Sequence, residues 1–292
     1  MQVQWYPGHM AKTRRMIVEQ LKLIDLAVEI LDARIPVSSR NPDLDSMLGS
    51  KPRLIVLNRS DQADGQMNRR WAEWFRGQGY QVLLTDCRSG AGVSQFAPTV
   101  RAALREQIAR WVEKGQVGRP IRVMVAGVPN VGKSTFINQV SGRKSAKAQN
   151  RPGVTRGKQW ITVDGGLELL DTPGILWPKF EDPTVGLHLA YTGAVKDDIM
   201  DLETLASGLM GLLARRYPEA IEGRYKITIA PDAQDWELLE SAGRRRGFLI
   251  SGGEVDLERM SRVLLEEYRS GKLGRFTLES PPGKEEQTDA AQ

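Results

Sequence analysis

Gly127-Val128-Pro129-Asn130-Val131-Gly132-Lys133-Ser134 stands in mid-chain, after the apolar run Ile121-Arg122-Val123-Met124-Val125-Ala126 and before Ser134-Thr135-Phe136-Ile137-Asn138-Gln139-Val140. The order reads as buried strand, glycine-rich turn and helix. The spacing G-x-x-x-x-G-K-S wraps backbone N–H groups around phosphates, points its lysine at the β/γ oxygens and gives its serine to Mg²⁺. A glycine-rich strand-to-helix turn alone would not need Lys133. Pro129, Asn130, Val131, Gly132, Lys133, Ser134 and Thr135 are therefore expected to hold a nucleotide phosphate, with Lys133 also acting on the reacting group.

Outward from this loop, Asp171-Thr172-Pro173-Gly174 closes another apolar strand 37 residues after Ser134. An aspartate there can enter the Mg²⁺ shell, and the Gly174 N–H can meet the γ-phosphate. Between them, Thr155 in Arg151-Pro152-Gly153-Val154-Thr155-Arg156 sits where a switch threonine would cap the metal. Ser134, Thr155 and Asp171 are the expected Mg²⁺ set, with Lys133, Thr155 and Gly174 at the reacting phosphate.

Upstream, Asn58-Arg59-Ser60-Asp61 ends a strand and resembles the N-K-x-D guanine reader. A carboxylate that accepts from guanine N1–H and the 2-amino group rejects adenine, which leaves it unpaired. Arg59 replaces the usual lysine, and its planar head is no simple equivalent of an ammonium. Asp86-Cys87-Arg88, at the end of the next strand, occupies the slot of the S-A-K loop, whose backbone N–H contacts guanine O6. Asn58 to Asp61 alone would also suit a plain strand-end turn. Beside the phosphate loop, the guanine reading is the stronger.

Strands are expected at 26–31, 53–57, 80–84 and 121–126, separated by helical stretches at 66–76 and 93–114. Such alternation gives an α/β fold with a mostly parallel sheet covered on both faces. The polar run 114–120 links to the phosphate-loop strand, and 161–163 and 167–170 flank the turn Asp164-Gly165-Gly166. Beyond Pro178 the texture becomes helical, at 184–195, 199–216, 233–246 and 256–270. The expected organisation is a nucleotide-binding domain at 1–178, a small helical domain at 179–280 and a disordered tail at 281–292. Trp71, Trp74 and Trp111 fall on helical stretches and read as core, not as base-stacking platforms.

An ordinary small GTPase begins at its phosphate loop, whereas here both base loops come first. The order is that of a circular permutation, with the ordinary termini joined through 114–120. Chain movement at Gly174 would then pass directly into the helical domain.

Of the 292 residues, 40% are hydrophobic and 26% charged, as in ordinary soluble proteins. Cys87 is the only cysteine, so no internal disulfide can form and a reducing, cytoplasmic setting is expected. No apolar stretch approaches a membrane span. Residues 1–178 hold 26 Lys and Arg against 15 Asp and Glu, and the remainder 15 against 21. The basic excess suits a polyanionic partner. It includes an acid-free run, 143–158, around Thr155, and Arg244-Arg245-Arg246 offers a second phosphate contact or a charged helix end.

With Trp5-Tyr6-Pro7-Gly8-His9-Met10, Asp32-Ala33-Arg34-Ile35-Pro36 and Gly271-Lys272-Leu273-Gly274-Arg275, the chain resembles the ribosome biogenesis GTPase A (YlqF) family of circularly permuted GTPases. The likeness runs from Trp5 to about Glu279. It implies GTP hydrolysis, a role in assembly of the large (50S) ribosomal subunit and rRNA as partner; no DNA partner and no stable membrane insertion are expected. It also implies that His9 replaces the water-orienting glutamine, since Ile175 after Asp-Thr-Pro-Gly cannot polarise water. A structural or RNA-facing His9 is the competing reading. GTPases with an asparagine at the Asn130 position often bind K⁺, although an asparagine also simply suits a tight loop. Two other functions compete: a GTPase in tRNA modification or membrane-linked regulation, and a nucleotide-gated RNA-binding module with negligible hydrolysis.

Overall fold

The computed structural model describes residues 18–145, 160–163, 165–172, 182–195 and 201–283. Its sheet is built from β1 (Leu26–Asp32), β2 (Arg53–Asn58), β3 (Gln81–Thr85), β4 (Ile121–Ala126), β5 (Trp160–Val163) and β6 (Leu167–Asp171), in the spatial order β3-β2-β1-β4-β6-β5. All pairings are parallel except β5 with β6. Every residue of β1 and β2 is buried, as expected of strands covered on both faces.

The covering helices are α1 (Pro42–Leu48), α2 (Gly65–Gly77), α3 (Phe96–Ala103), α4 (Arg105–Glu113) and α5 (Lys133–Ser145). Alternation along the strands divides the core. Leu31, Ile55 and Leu57 pack with Trp71 and Phe75 of α2, while Val28, Ile30 and Val56 pack with Phe96, Val100 and Phe136 on the other face. Trp71 is fully buried, and Trp74 and Trp111 pack partly against the core, in line with their helical positions.

Two helices were not read from the sequence. α1 starts at Asn41, whose side chain accepts from the Asp43 amide, with Pro42 in the first turn; such starts are favoured because proline lacks only an amide that would be unpaired anyway. The stretch expected as one helix over 93–114 is a 3₁₀ turn followed by α3 and α4, broken at Leu104, whose φ/ψ of −106°/13° is non-helical. Leu104 is 1% exposed; burial of its side chain accompanies the break.

Past the sheet come α6 (Pro183–Tyr191), α7 (Leu202–Arg216), α8 (Pro218–Tyr225), α9 (Asp235–Arg245) and α10 (Leu257–Ser270). α8, the second helix missed, opens on Pro218, a residue that stops one helix and starts the next. α7, α9 and α10 pack together, and their apolar faces, with that of α6, join the core beneath β1 and β4 through Leu189 of α6, Leu209 and Met210 of α7, Leu239 of α9 and Leu264 of α10. The boundary expected at 178/179 lies outside the described residues. No helix among the described residues is long and apolar enough to cross a membrane.

After α10 a strap, residues 271–279, crosses back to the sheet. The Phe276 and Leu278 amides donate to the carbonyls of Gln62 and Arg34. Glu279 accepts from the amides of Val37 and Ser38 and meets His188 Nδ1, and its carbonyl takes the Trp71 indole N–H.

Candidate nucleotide site

The register brings five strand ends to one edge. Asp32 pairs with Asn58, Asn58 with Thr85, Glu29 with Ala126 and Val125 with Asp171. Ligands of open α/β sheets bind outside such carboxyl ends. All the described site residues expected from sequence gather there.

Asn58 is the knot of the base side. Its Nδ2 donates to the Val131 carbonyl at 2.8 Å, and its Oδ1 accepts from Thr85 Oγ1 and the Cys87 amide, each at 3.2 Å. One buried amide thus ties β2, the loop after β3 and the phosphate loop together. Its closeness dictates Gly132, where a Cβ would lie 2.3 Å from Asn58 Nδ2 and φ is +103°.

Arg59 has φ +60°, and its guanidinium Nη2 donates to the Asn130 carbonyl at 2.6 Å. Asp61 carries a buried carboxylate oxygen, Oδ1, that has no hydrogen-bond partner among the described residues. A buried, unanswered acceptor is costly, and here it stands at the position assigned to the guanine donors.

The second base loop is held by Asp86, whose carboxylate accepts from the Arg88 and Ser89 amides. Against the desolvation that would raise it, a hydrogen bond from the Ser89 side chain and those from the two amides keep the Asp86 carboxyl below its ordinary value. The Gln139 side chain donates to the Cys87 carbonyl at 3.0 Å, fastening the loop to α5. The Cys87 and Arg88 amides both have partners inside the protein, so a contact from this loop to guanine O6 must share or displace one of them. Burial pushes the Cys87 thiol up to about 11, so it is an inert packing group.

On the phosphate side, Lys133 Nζ donates to the carbonyls of Gly127 and Val128, each at 3.3 Å. Burial lowers its pKa, and the charge of Asp171 opposes the shift. Ser134 and Thr135 are exposed at the start of α5, and Pro129 and Val131 complete the loop. Asn130, at φ +58°, donates from Nδ2 to the Gly193 carbonyl at 2.8 Å, beyond the end of α6. An asparagine is favoured in this backbone region. Thr172 donates from both N and Oγ1 to the Val125 carbonyl, docking the start of Asp-Thr-Pro-Gly against β4. His9, Thr155, Gly174 and Ile175 lie outside the described residues, as does nearly all of the basic run 143–158.

One contact network has no counterpart in any sequence pattern. Asp32 takes Arg34 through its backbone N, Nε and Nη2 at 2.7–3.0 Å, and Arg34 Nη1 donates to the Tyr268 carbonyl in the last turn of α10 at 3.1 Å. Arg34 also lies over the Tyr268 ring. Burial alone would raise the Asp32 carboxyl, but the Arg34 guanidinium holds it below the usual carboxylate range. The next residue, Arg269, donates to the carbonyls of Ala190 and Tyr191. The motifs around Asp32 and Gly271 were legible only as resemblance; their meeting, more than 230 residues apart in sequence, was not.

Over 287 residues the chain is 46% identical to the ribosome biogenesis GTPase A of Priestia megaterium, covering 98% of this chain and 99% of that one. The chain belongs to the ribosome biogenesis GTPase A family. Among solved structures it resembles GDP-bound YlqF (TM-score 0.68, 27% identity, 91% of this chain and 99% of that chain). It also resembles GNP-bound YlqF from T. maritima (TM-score 0.64, 27% identity, 94% of this chain and 100% of that chain). The family model described as 50S ribosome-binding GTPase matches residues 122–204. That match opens in β4 and leaves Asn58–Asp61 upstream, consistent with the permuted order. The fold is that of a permuted P-loop GTPase.

Proposed function

We propose that this chain is a GTP-hydrolysing assembly factor for the large ribosomal subunit that binds rRNA according to its nucleotide state. It binds guanine nucleotide and acts in ribosome biogenesis, as the family does. The observation that carries the guanine reading is the buried, unpartnered Asp61 oxygen, held beside the phosphate loop by the three bonds of Asn58.

In this reading Asn58, Arg59, Asp61 and the loop Asp86–Arg88 hold the base. Residues 129–135 cradle the phosphates. Lys133 leaves its two carbonyls for the β/γ oxygens, a change in partners that its partial desolvation favours. Ser134 and Asp171 fit a Mg²⁺ site, being exposed oxygen donors in the first turn of α5 and at the carboxyl end of β6; Thr155 would complete it. The ion would neutralise charge on the transferring phosphoryl group. Gly174 would meet the γ-phosphate, His9 would orient water, and Asn130 would turn its amide oxygen to a K⁺ ion.

Residues 1–178 form the GTPase domain and 179–280 a helical domain that senses the nucleotide. The short sequence interval between Thr172 and Pro183, together with the Asn130–Gly193 and Arg34–Tyr268 bonds, supports this. The basic run 143–158, in a cytoplasmic setting, supplies salt-sensitive RNA contacts.

The test is GTP hydrolysis by the pure protein, with and without large subunits, in K⁺ and in Na⁺ buffers. Stimulation by the subunit in K⁺ alone is expected, and His9→Ala should abolish it. Turnover indifferent to subunits would refute the assembly role, and hydrogen exchange at 171–180 that ignores the nucleotide would refute the sensing role.

A further inference from the structure

Two guanidiniums and two carboxylates crowd the base end of the sheet. Asp32, 3% exposed, takes the Arg34 fork at 2.9 and 2.7 Å and lies 3.7 Å from Arg59 Nε. Asp61 takes neither, although both arginines feel its charge. We propose that Asp32 is a positioning residue for guanine recognition: by engaging Arg34 and Arg59 it keeps the Asp61 carboxylate unpaired for the base. The inference rests on the reading of Asp61 as guanine acceptor.

The charge balance shows why. Two buried or half-buried cations need anionic partners, and arginine forks onto carboxylates readily. With Asp32 present, Arg34 is engaged through all three of its guanidinium nitrogens by that carboxylate and the Tyr268 carbonyl, while Arg59 stretches between Asp32 and the Asn130 carbonyl at 2.6 Å. Remove the Asp32 charge and Asp61 becomes the remaining carboxylate within the field of both. An arginine seated on Asp61 would occupy the oxygens meant for guanine. The geometry also explains Arg59 in place of lysine, because a planar head offers separated donors to two sites where an ammonium is a single point.

The experiment compares GDP with inosine diphosphate, which lacks only the 2-amino group, by calorimetry on the full chain with Mg²⁺. The wild-type preference for GDP should be about tenfold or more, the value of a hydrogen bond to a charged acceptor. Asp32→Asn should bring that ratio close to one, and adding Arg59→Ala to it should restore most of the preference. A ratio unchanged in Asp32→Asn overturns the proposal, including the case where both affinities fall in parallel through structural damage. Should Asp32→Asn not fold, Arg59→Ala alone decides. With Asp32 in place the ratio should persist, and a several-fold rise would show that Arg59 already masked Asp61. Asp61→Asn separates the two levels. If it equalises the nucleotides, the guanine reading stands whatever Asp32 does; if it leaves the wild-type ratio, that reading fails and this inference with it.

Discussion

The two halves of the proposed nucleotide site are built differently. The base half is fixed before any ligand arrives: Asn58 is buried with three partners, Asp86 cinches its own loop, and Gln139 ties that loop to α5. In the phosphate half Lys133 is folded onto its own loop's carbonyls, and Ser134 stands exposed. In the proposed site the base half is therefore largely preorganised, with one loop amide left to share or give up its internal partner, whereas the phosphate half must exchange partners on binding. Preorganised groups lose little when they bind; groups that exchange partners can report what has bound.

Lys133→Met should separate the halves most sharply. Turnover should fall on the order of a hundredfold or more, while thermal stability holds or rises, because burial already disfavours the charged lysine. A large drop in Tm would show that the lysine braces the fold. Asn58→Ala should do the reverse, lowering unfolding free energy by about 2–4 kcal/mol through several unsatisfied buried partners. Urea unfolding measures it, and a change below about 1 kcal/mol would dissolve the idea of a preorganised base half.

Gly132→Ala should cost about 1–3 kcal/mol by combining a forced positive φ with collision against Asn58. A matching loss of nucleotide affinity is expected, and retention of both would mean that the Asn58–Val131 bond yields easily. Cys87→Ser should be nearly silent, within about threefold in GDP affinity. The thiol is buried with its pKa pushed up to about 11, so thiol reagents should label it only after unfolding. Labelling of the folded protein at neutral pH would mean that the base loop opens.

Much of this was legible in the residues. The phosphate loop, the strand ends at Asn58 and Asp171 and the parallel sheet follow from local apolar runs and punctuating glycines, and each strand falls within about a residue of its expected span. α1 was missed because seven residues with two buried leucines carry too little periodicity. α8 was missed because Pro218 reads equally as a stop. The Arg34–Tyr268 and Asn130–Gly193 bonds were beyond reach for another reason: each ends on a backbone carbonyl, a group every residue possesses, so no side-chain pattern marks the receiving end.

The strap 271–279 has a practical corollary for anyone dividing this protein. Cutting the chain after α10 would uncover the Trp71 indole N–H, the amides of Val37 and Ser38 and the carbonyls of Gln62 and Arg34 at once. An isolated nucleotide-binding half would thus begin life with a polar scar along its own surface. Its stability would understate that of the same residues in the intact polypeptide.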